Sequence, residues 1–167
     1  MRLARLLLAG ALASAPALAA AEEPQGCDGF RWPVEKERAA LGAAGKPVVP
    51  NGGALAYEAA STLTLAPFAE AALPRPPERA PKFQPSYAGH FTLPAPAKPG
   101  RYVVTMAAAA WIDVVDGGSF LHPKGFSGAV GCEGARKSVK FDLPGRPLDV
   151  QLSGVADPEI AVIVTPE

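Results

Sequence analysis

Apolar and polar residues alternate with a period of two in every segment after Gly100. In one such segment Val139, Phe141 and Leu143 alternate with polar residues. Successive side chains of a strand point to opposite faces, so this pattern predicts half-buried strands and excludes helices of period 3.6. The other alternating segments are 102–106, 111–116, 148–153 and 160–164. Because Gly and Pro turns separate these segments, the sequence predicts an all-β fold, an antiparallel β-sandwich of about seven or eight strands.

The final segment, 160–164, differs from the others because it is apolar at successive positions. Ala161 and Ile163 make both of its faces apolar. Antiparallel strands with one solvated face normally alternate. We therefore expect this strand to be central in its sheet or covered by another element.

One short helix is expected ahead of the strands. Pro33 suits a first helical position, Glu35 and Glu37 fall in the first turn, and Gly42 follows Leu41 as a stop. These signals predict a helix of about two turns within residues 27–46. Its expected buried contacts are Phe30, Trp32 and Leu41, and the first strand is expected over Ser61–Leu65.

Proline dominates the middle of the chain. Nine prolines fall within the 33 residues from Pro67 to Pro99. This density excludes a helix and a central strand, and it predicts an extended surface crossing with one short edge strand near Gly89–Leu93. A polyproline ligand at Pro74-Arg75-Pro76-Pro77 is the alternative. The expected organisation is residues 20–66 for the N-terminal helix and first strand, 67–99 for the crossing and 100–167 for the main sandwich strands.

The first 19 residues have the pattern of a signal peptide. Arg2 and Arg5 precede a Leu/Ala-rich run that ends in Ala17-Leu18-Ala19, a small-x-small cleavage site. The sequence therefore predicts a periplasmic or secreted protein with no membrane span. Cleavage after Ala19 would leave 14 cations against 16 anions, a net charge of about −2. Because that balance provides no basic surplus, nucleic acid is not an expected partner.

Two cysteines remain in the mature chain, Cys27 and Cys132. An exported protein folds in an oxidising compartment, and two cysteines allow only one pairing. We expect a disulfide that ties the N-terminal segment to the C-terminal half. The Cys-x-x-Cys spacing of redox motifs is absent from the sequence.

Several segments within residues 86–165 carry a resemblance to known proteins, and the most specific is Trp111-Ile112-Asp113-Val114-Val115. The others are Pro99–Thr105, Gly131-Cys132, Arg136–Phe141 and Gln151–Gly154. Together they resemble a group of small exported bacterial proteins of unknown role, some of which are automatically labelled homogentisate 1,2-dioxygenase. The same region is more distantly similar to the bacterial pre-peptidase C-terminal domain, a β-sandwich accessory module.

The resemblance implies a non-haem iron site, which two histidines and a carboxylate would form. The chain has two histidines, His90 and His122, so both would have to be ligands. The weak metal candidates are therefore His90, His122 and Asp116. Asp113 and Asp116 are an odd number of positions apart, so they lie on opposite faces of a regular strand and cannot converge on one ion. The sequence therefore predicts no metal and no cofactor.

Gly125-Phe126-Ser127-Gly128-Ala129 approaches the nucleophile-elbow pattern of serine hydrolases. Ala129 stands where that pattern requires glycine, and the strand-to-helix context is lacking. His122 precedes Ser127 in the same region, so these two residues are the weak catalytic candidates. The alternative is a purely structural role, as a glycine-rich loop that leads to Cys132.

Trp111 and Asp113 share one face of a predicted strand. An aromatic ring beside a carboxylate can bind a sugar, because the ring stacks and the acid accepts hydroxyl hydrogen bonds. The alternative is a core tryptophan with a buried Asp113 paired to Arg136 or Lys137.

The sequence thus predicts an exported, non-catalytic binding or accessory module for a carbohydrate or a protein. The alternative is a small periplasmic hydrolase or metal-dependent enzyme. A third class is an envelope protein that docks through its proline-rich segment.

Overall fold

Eleven strands and one α-helix are found in the computed structural model, which describes residues 22–167. The predicted signal peptide, residues 1–19, lies outside the described residues. The helix is α1, Glu35–Gly42. The strands are β1 Val48–Val49, β2 Ser61–Thr64, β3 Ala66–Pro67, β4 Tyr87–Leu93, β5 Gly100–Met106, β6 Trp111–Asp116, β7 Ser119–Leu121, β8 Gly125–Gly128, β9 Lys137–Leu143, β10 Leu148–Val155 and β11 Glu159–Pro166.

The strands form two sheets. The six-stranded sheet has the order β1-β2-β11-β5-β9-β8, and the five-stranded sheet has the order β3-β4-β10-β6-β7. Neighbouring strands are antiparallel except β1 and β2, which are parallel. The predicted antiparallel β-sandwich is confirmed. The strand count exceeds the expected seven or eight because β1, β3, β7 and β8 have two to four residues, too few for an alternation to be recognised.

One hydrophobic core lies between the sheets. Phe91 and Phe141, from opposite sheets, are almost fully buried in the same cluster. Leu55, Leu63 and Leu65 belong to it too. The core therefore includes residues from both sides of Gly100.

The outer face of the six-stranded sheet is partly covered by α1. The helix packs on β11, which lies between β2 and β5. Ile163, on the outer face of β11, is 3% exposed. The apolar residues on both faces of this strand thus have a physical cause, since one face meets the core and the other meets α1. Within residues 22–167, none of the helices has the length and apolar character needed to cross a membrane.

Strand β4 is longer than the segment expected near Gly89–Leu93 and lies inside its sheet, between β3 and β10. Its prolines lie outside the strand, at either end, so the ladder loses no backbone donor. On the β3 side, the backbone N–H groups of Gly52 and Leu55 donate to the carbonyls of His90 and Thr92 at 2.8 and 3.0 Å. The expected edge position was wrong because residues 52–55 cover this side of β4.

Five of the nine prolines lie in residues 73–86, a segment without helix or strand that we call the strap. The strap lies against the outer face of the five-stranded sheet. It contacts side chains of β10 and β6. Each sheet therefore has its own cover, α1 on one side of the sandwich and the strap on the other.

Candidate functional site

Trp111 and Asp113 share one face of β6, as their spacing predicts, and this is the outer face of the five-stranded sheet. The Nε1–H of Trp111 donates to Oδ1 of Asp113 at 2.6 Å. Asp113 is 3% exposed, whereas Trp111 is partly exposed. In the register of the sheet Asp113 stands opposite Gln151, and Gln151 stands opposite His90. A row of three polar side chains therefore crosses this face of the sandwich.

The strap covers this polar row. The backbone N–H of Arg75 donates to Oε1 of Gln151 at 3.2 Å, and that of Glu78 donates to Oδ2 of Asp113 at 3.3 Å. Gln151 donates in turn to Oδ2 of Asp113 at 3.1 Å. Proline has no backbone N–H, so a proline-rich segment cannot form a complete ladder of hydrogen bonds with a strand. Two of the backbone N–H groups in the strap are accepted instead by side chains of the sheet. The Asp113 carboxylate is consequently occupied by three donors of the chain itself.

The indole ring of Trp111 is also engaged by the chain. The guanidinium carbon of Arg79 lies 4.4 Å from the ring centroid, and Nζ of Lys137 lies 5.3 Å from it. Lys137 donates a 2.7 Å hydrogen bond to the carbonyl of Ala110. The cationic partner that we expected for Asp113 thus contacts the ring of Trp111, while the carboxylate takes neutral donors.

Ser127 and His122 have separate surroundings. Ser127 lies in β8, is 4% exposed, and accepts the backbone N–H of Arg31 at 2.8 Å. His122 is exposed between β7 and β8 and makes no hydrogen bond with any described residue. A strand, not a strand-to-helix turn, therefore contains the serine, and its hydroxyl positions the N-terminal segment.

The three weak metal candidates do not form a cluster among the described residues. Asp116 binds Arg146 through both carboxylate oxygens, at 2.7 and 2.5 Å, and this hydrogen bonding lowers the pKa of Asp116. The backbone N–H of His90 donates to Asn51. Within residues 22–167, no group of three or more His, Cys, Asp and Glu side chains could hold a metal ion.

The disulfide Cys27–Cys132 is present, as the sequence predicts. It holds the N-terminal segment beside the residues that follow β8, where Gln25 and Val130 form an isolated parallel bridge. Gly26 and Val130 support this placement, because the N–H of Gly26 donates to the Val130 carbonyl and the N–H of Val130 donates to Pro24, both at 2.8 Å. The disulfide holds the segment that places Trp32, five residues after Cys27, on the outer face of the six-stranded sheet.

A cleft of about 230 Å³ lies between Trp32, α1 and this sheet. Trp32 donates from Nε1 to Oγ of Ser138 at 3.0 Å, and Ser138 shares a 3.1 Å hydrogen bond with Thr105. Nζ of Lys140 lies 4.2 Å from the Trp32 ring centroid and 2.5 Å from Oε1 of Glu167. The cleft thus combines an aromatic wall with hydroxyl, ammonium and carboxylate groups.

The cleft adjoins a second groove along α1, of about 370 Å³. Glu37, Thr165 and Pro166 line both. The Thr165 hydroxyl donates to Oε1 of Glu37 at 3.1 Å, which fixes the carboxylate between the two spaces. Ligand pockets are commonly about 300–1,000 Å³, so the two spaces together reach the size that a small ligand needs.

The sequence did not predict this cleft, because its local pattern assigned Trp32 only to the buried contacts of the helix. Trp32 is partly exposed. The signals that could have indicated it are the polar outer residues of β9, Ser138 and Lys140, together with a tryptophan close to Cys27. Joining these signals requires a contact across 106 residues, which no local pattern specifies.

Neither protein-family models, nor curated proteins, nor solved structures give a match to this chain. The resemblance to the exported bacterial proteins stays a prediction, and the function is argued from geometry alone.

Proposed function

We propose that this chain is an exported, non-catalytic binding module that takes an uncharged sugar in the cleft beside Trp32. The observation that carries the proposal is the Trp32 ring at the wall of a cleft that also contains Glu37, Lys140 and Thr105. Sugars bind where an aromatic ring contacts their C–H groups and polar side chains bond their hydroxyls. Cleft and groove together offer both kinds of contact.

The polar groups of the cleft are held in place by bonds within the chain. Ser138 and Thr105 bond each other, Lys140 bonds Glu167, and Thr165 bonds Glu37. Preorganised groups lose less conformational freedom when a ligand binds. Carboxylate and ammonium groups retain further hydrogen-bonding capacity after one such bond, so each can still bind a sugar hydroxyl.

Export is the second part of the proposal. The signal-peptide pattern of residues 1–19 supports it, and the disulfide is consistent with an oxidising compartment. The disulfide also supports the binding role, because it orders the segment that brings Trp32 to the sheet.

Trp32 and Trp111 can be separated as reporters of binding. We would titrate the protein with a panel of neutral monosaccharides and oligosaccharides and follow tryptophan emission, using Trp32→Phe and Trp111→Phe to isolate each ring. A saturable change that persists in Trp111→Phe is the expected result. Calorimetry on Trp32→Ala should show binding weakened by about tenfold or more, since a stacked aromatic ring contributes about 1–3 kcal/mol.

A matched pair of helix variants tests the polar contacts. Glu37→Gln changes a carboxylate that lines the cleft, whereas Glu35→Gln changes an exposed carboxylate of the same helix that does not. We expect weaker binding only for Glu37→Gln. The proposal fails if no sugar in the panel changes the emission, or if Trp32→Ala binds as wild type does.

The alternative functions have their own readouts. A hydrolase that used His122 and Ser127 would lose activity in His122→Ala with its fold intact, although Ser127 here bonds the backbone of Arg31. An envelope component docking through the strap would co-purify with a protein partner. Neither alternative has a specific contact in its favour comparable with the cleft.

A further inference from the structure

Positive charge collects around Trp111, at the end of the sandwich opposite the start of β5. Arg79 and Lys137 lie against the indole ring, 4.4 and 5.3 Å from its centroid. Lys82 follows Arg79 along the strap, and Arg136 precedes Lys137 in the chain. Two segments distant in sequence, the strap and the start of β9, thus bring cations to one place.

The cations around Lys137 act on its pKa in the same direction as its burial. Burial lowers the pKa of Lys137 first, and the charges of Arg136, Arg79 and Lys82 lower it further. Within residues 22–167, Asp113 is the single carboxylate that raises this pKa. Its oxygens already accept three hydrogen bonds, and it is buried. Local charge at this end is therefore positive although the whole chain has a formal net charge of zero.

Several donors of this cluster have no acceptor. Among the described residues, neither the guanidinium of Arg79 nor the ammonium of Lys82 donates a hydrogen bond or forms an ion pair, whereas Arg136 pairs with Glu23. Lys137 uses one donor, toward Ala110. A guanidinium presents five N–H donors and an ammonium three, so the cluster can receive an acceptor from outside the chain.

We propose that Arg79 and Lys137 form a binding site for a small oxyanion, the carboxylate, sulfate or phosphate group of a ligand, beside Trp111. Arginine binds such groups through two parallel hydrogen bonds, and lysine adds a compact charge. Trp111 holds Arg79 by a cation–π contact, which orders the guanidinium before the ligand arrives. The site shares no residue with the Trp32 cleft, although Lys137 belongs to β9, the strand that also carries Ser138 and Lys140 of the cleft.

The low net charge of the chain argues against binding of polyanions, but it does not argue against binding of one small oxyanion. Binding to nucleic acid requires many phosphate contacts spread over a surface, whereas one oxyanion needs only a local cluster. The prediction that nucleic acid is not a partner therefore stands beside this proposal.

Binding can be measured by isothermal calorimetry with sodium sulfate, sodium phosphate and sodium glucuronate, each at an ionic strength held constant with sodium chloride. In parallel, emission of the Trp32→Phe protein reports on Trp111 alone. The variants Arg79→Gln and Lys137→Gln each remove one cation of the cluster. Lys98→Gln is the matched control, because Lys98 is exposed just before β5, whereas the cluster lies beyond its other end.

We expect saturable binding of at least one oxyanion, weakened about tenfold or more by Arg79→Gln and by Lys137→Gln and unchanged by Lys98→Gln, as loss of a charge-assisted hydrogen bond requires. The three anions distinguish a carboxylate ligand from a sulfate or phosphate ligand. No heat beyond that of chloride for all three anions, or equal affinity in all four proteins, would overturn the proposal. If no sugar changes the tryptophan emission while an oxyanion still binds, only the proposed sugar site beside Trp32 is rejected.

Discussion

Trp111 donates its indole N–H to Asp113, two residues further along the same face of β6, over 2.6 Å. The same carboxylate accepts hydrogen bonds from the Gln151 side chain and from the backbone of Glu78 in the strap. Asp113 therefore connects β6, β10 and the strap. Its role is structural, since the buried charge organises the cover of one sheet and leaves no free oxygen aimed at solvent.

Removal of this carboxylate should weaken the fold. Asp113→Ala leaves three donors without their acceptor, at a carboxylate that is 3% exposed. We expect the free energy of unfolding to fall by about 2–4 kcal/mol, measured by urea denaturation. Asp142→Asn is the control, because it removes an exposed carboxylate paired with Arg101, and it should unfold at nearly the wild-type urea concentration. Equal midpoints for the two variants would contradict the role given to Asp113.

The disulfide should contribute strongly to stability because it closes a long loop. Cys27 and Cys132 are 105 residues apart, for which the chain-entropy model gives about 4–5 kcal/mol. The Cys27→Ser, Cys132→Ser double variant should unfold at a lower urea concentration, and the amides of Gly26 and Val130 should exchange hydrogen faster. Two free thiols in the native, non-reduced protein would show that the bond does not form.

Alkaline pH should destabilise the fold through Tyr57. Burial, and then the neighbouring Tyr102, raises the pKa of Tyr57 from 10.0 to about 12. Because the folded-state pKa is the higher one, the folded protein holds this proton more tightly, and the associated stability is complete below pH 10 and lost between about 10 and 12. The stability difference between wild type and Tyr57→Phe should therefore shrink over that range. Urea unfolding at successive pH values tests this, and a constant difference would contradict it.

Two glycines with similar backbone angles should respond differently to alanine. Gly131 and Gly134 have φ of +74° and +81°, but a Cβ at Gly134 would lie 2.6 Å from the Arg38 carbonyl, whereas one at Gly131 meets nothing within 4 Å. Gly131→Ala should cost about 1–2 kcal/mol from backbone strain alone. Gly134→Ala should cost clearly more, because α1 must also shift. Thermal unfolding of the two variants measures both losses of stability. Equal losses would mean that α1 can shift at Arg38 without a cost in stability.

Much of the fold could be predicted from local patterns. Alternation located every strand of five residues or more from β5 onward, because the side-chain direction in a strand depends only on position. Pro33 and Gly42 indicated the helix, although it begins two residues after Pro33, at Glu35, and includes Gly42. The two cysteines could form only one bond. The very short strands escaped prediction, as did the interior position of β4, which depends on residues 52–55 lying beside it.

The site could not be predicted in the same way. Alternation indicated that Trp111 and Asp113 share one face of a strand, but it did not indicate whether that face meets the core, the solvent or a covering segment. The strap supplies a backbone N–H to Asp113 across 35 residues and places Arg79 on the ring of Trp111. The binding hypothesis therefore moves from Trp111 to Trp32.

The sequence by itself determined the sandwich, the helix and the disulfide. They follow from the alternation of apolar and polar residues, from the residues that begin and end the elements, and from the only pairing open to two cysteines. Only the tertiary structure decided which tryptophan lines a cleft and where positive charge collects. Strand order and the path of the strap control those contacts, and they bring together groups that share no local pattern, such as Trp32 with Lys140 and Arg79 with Lys137.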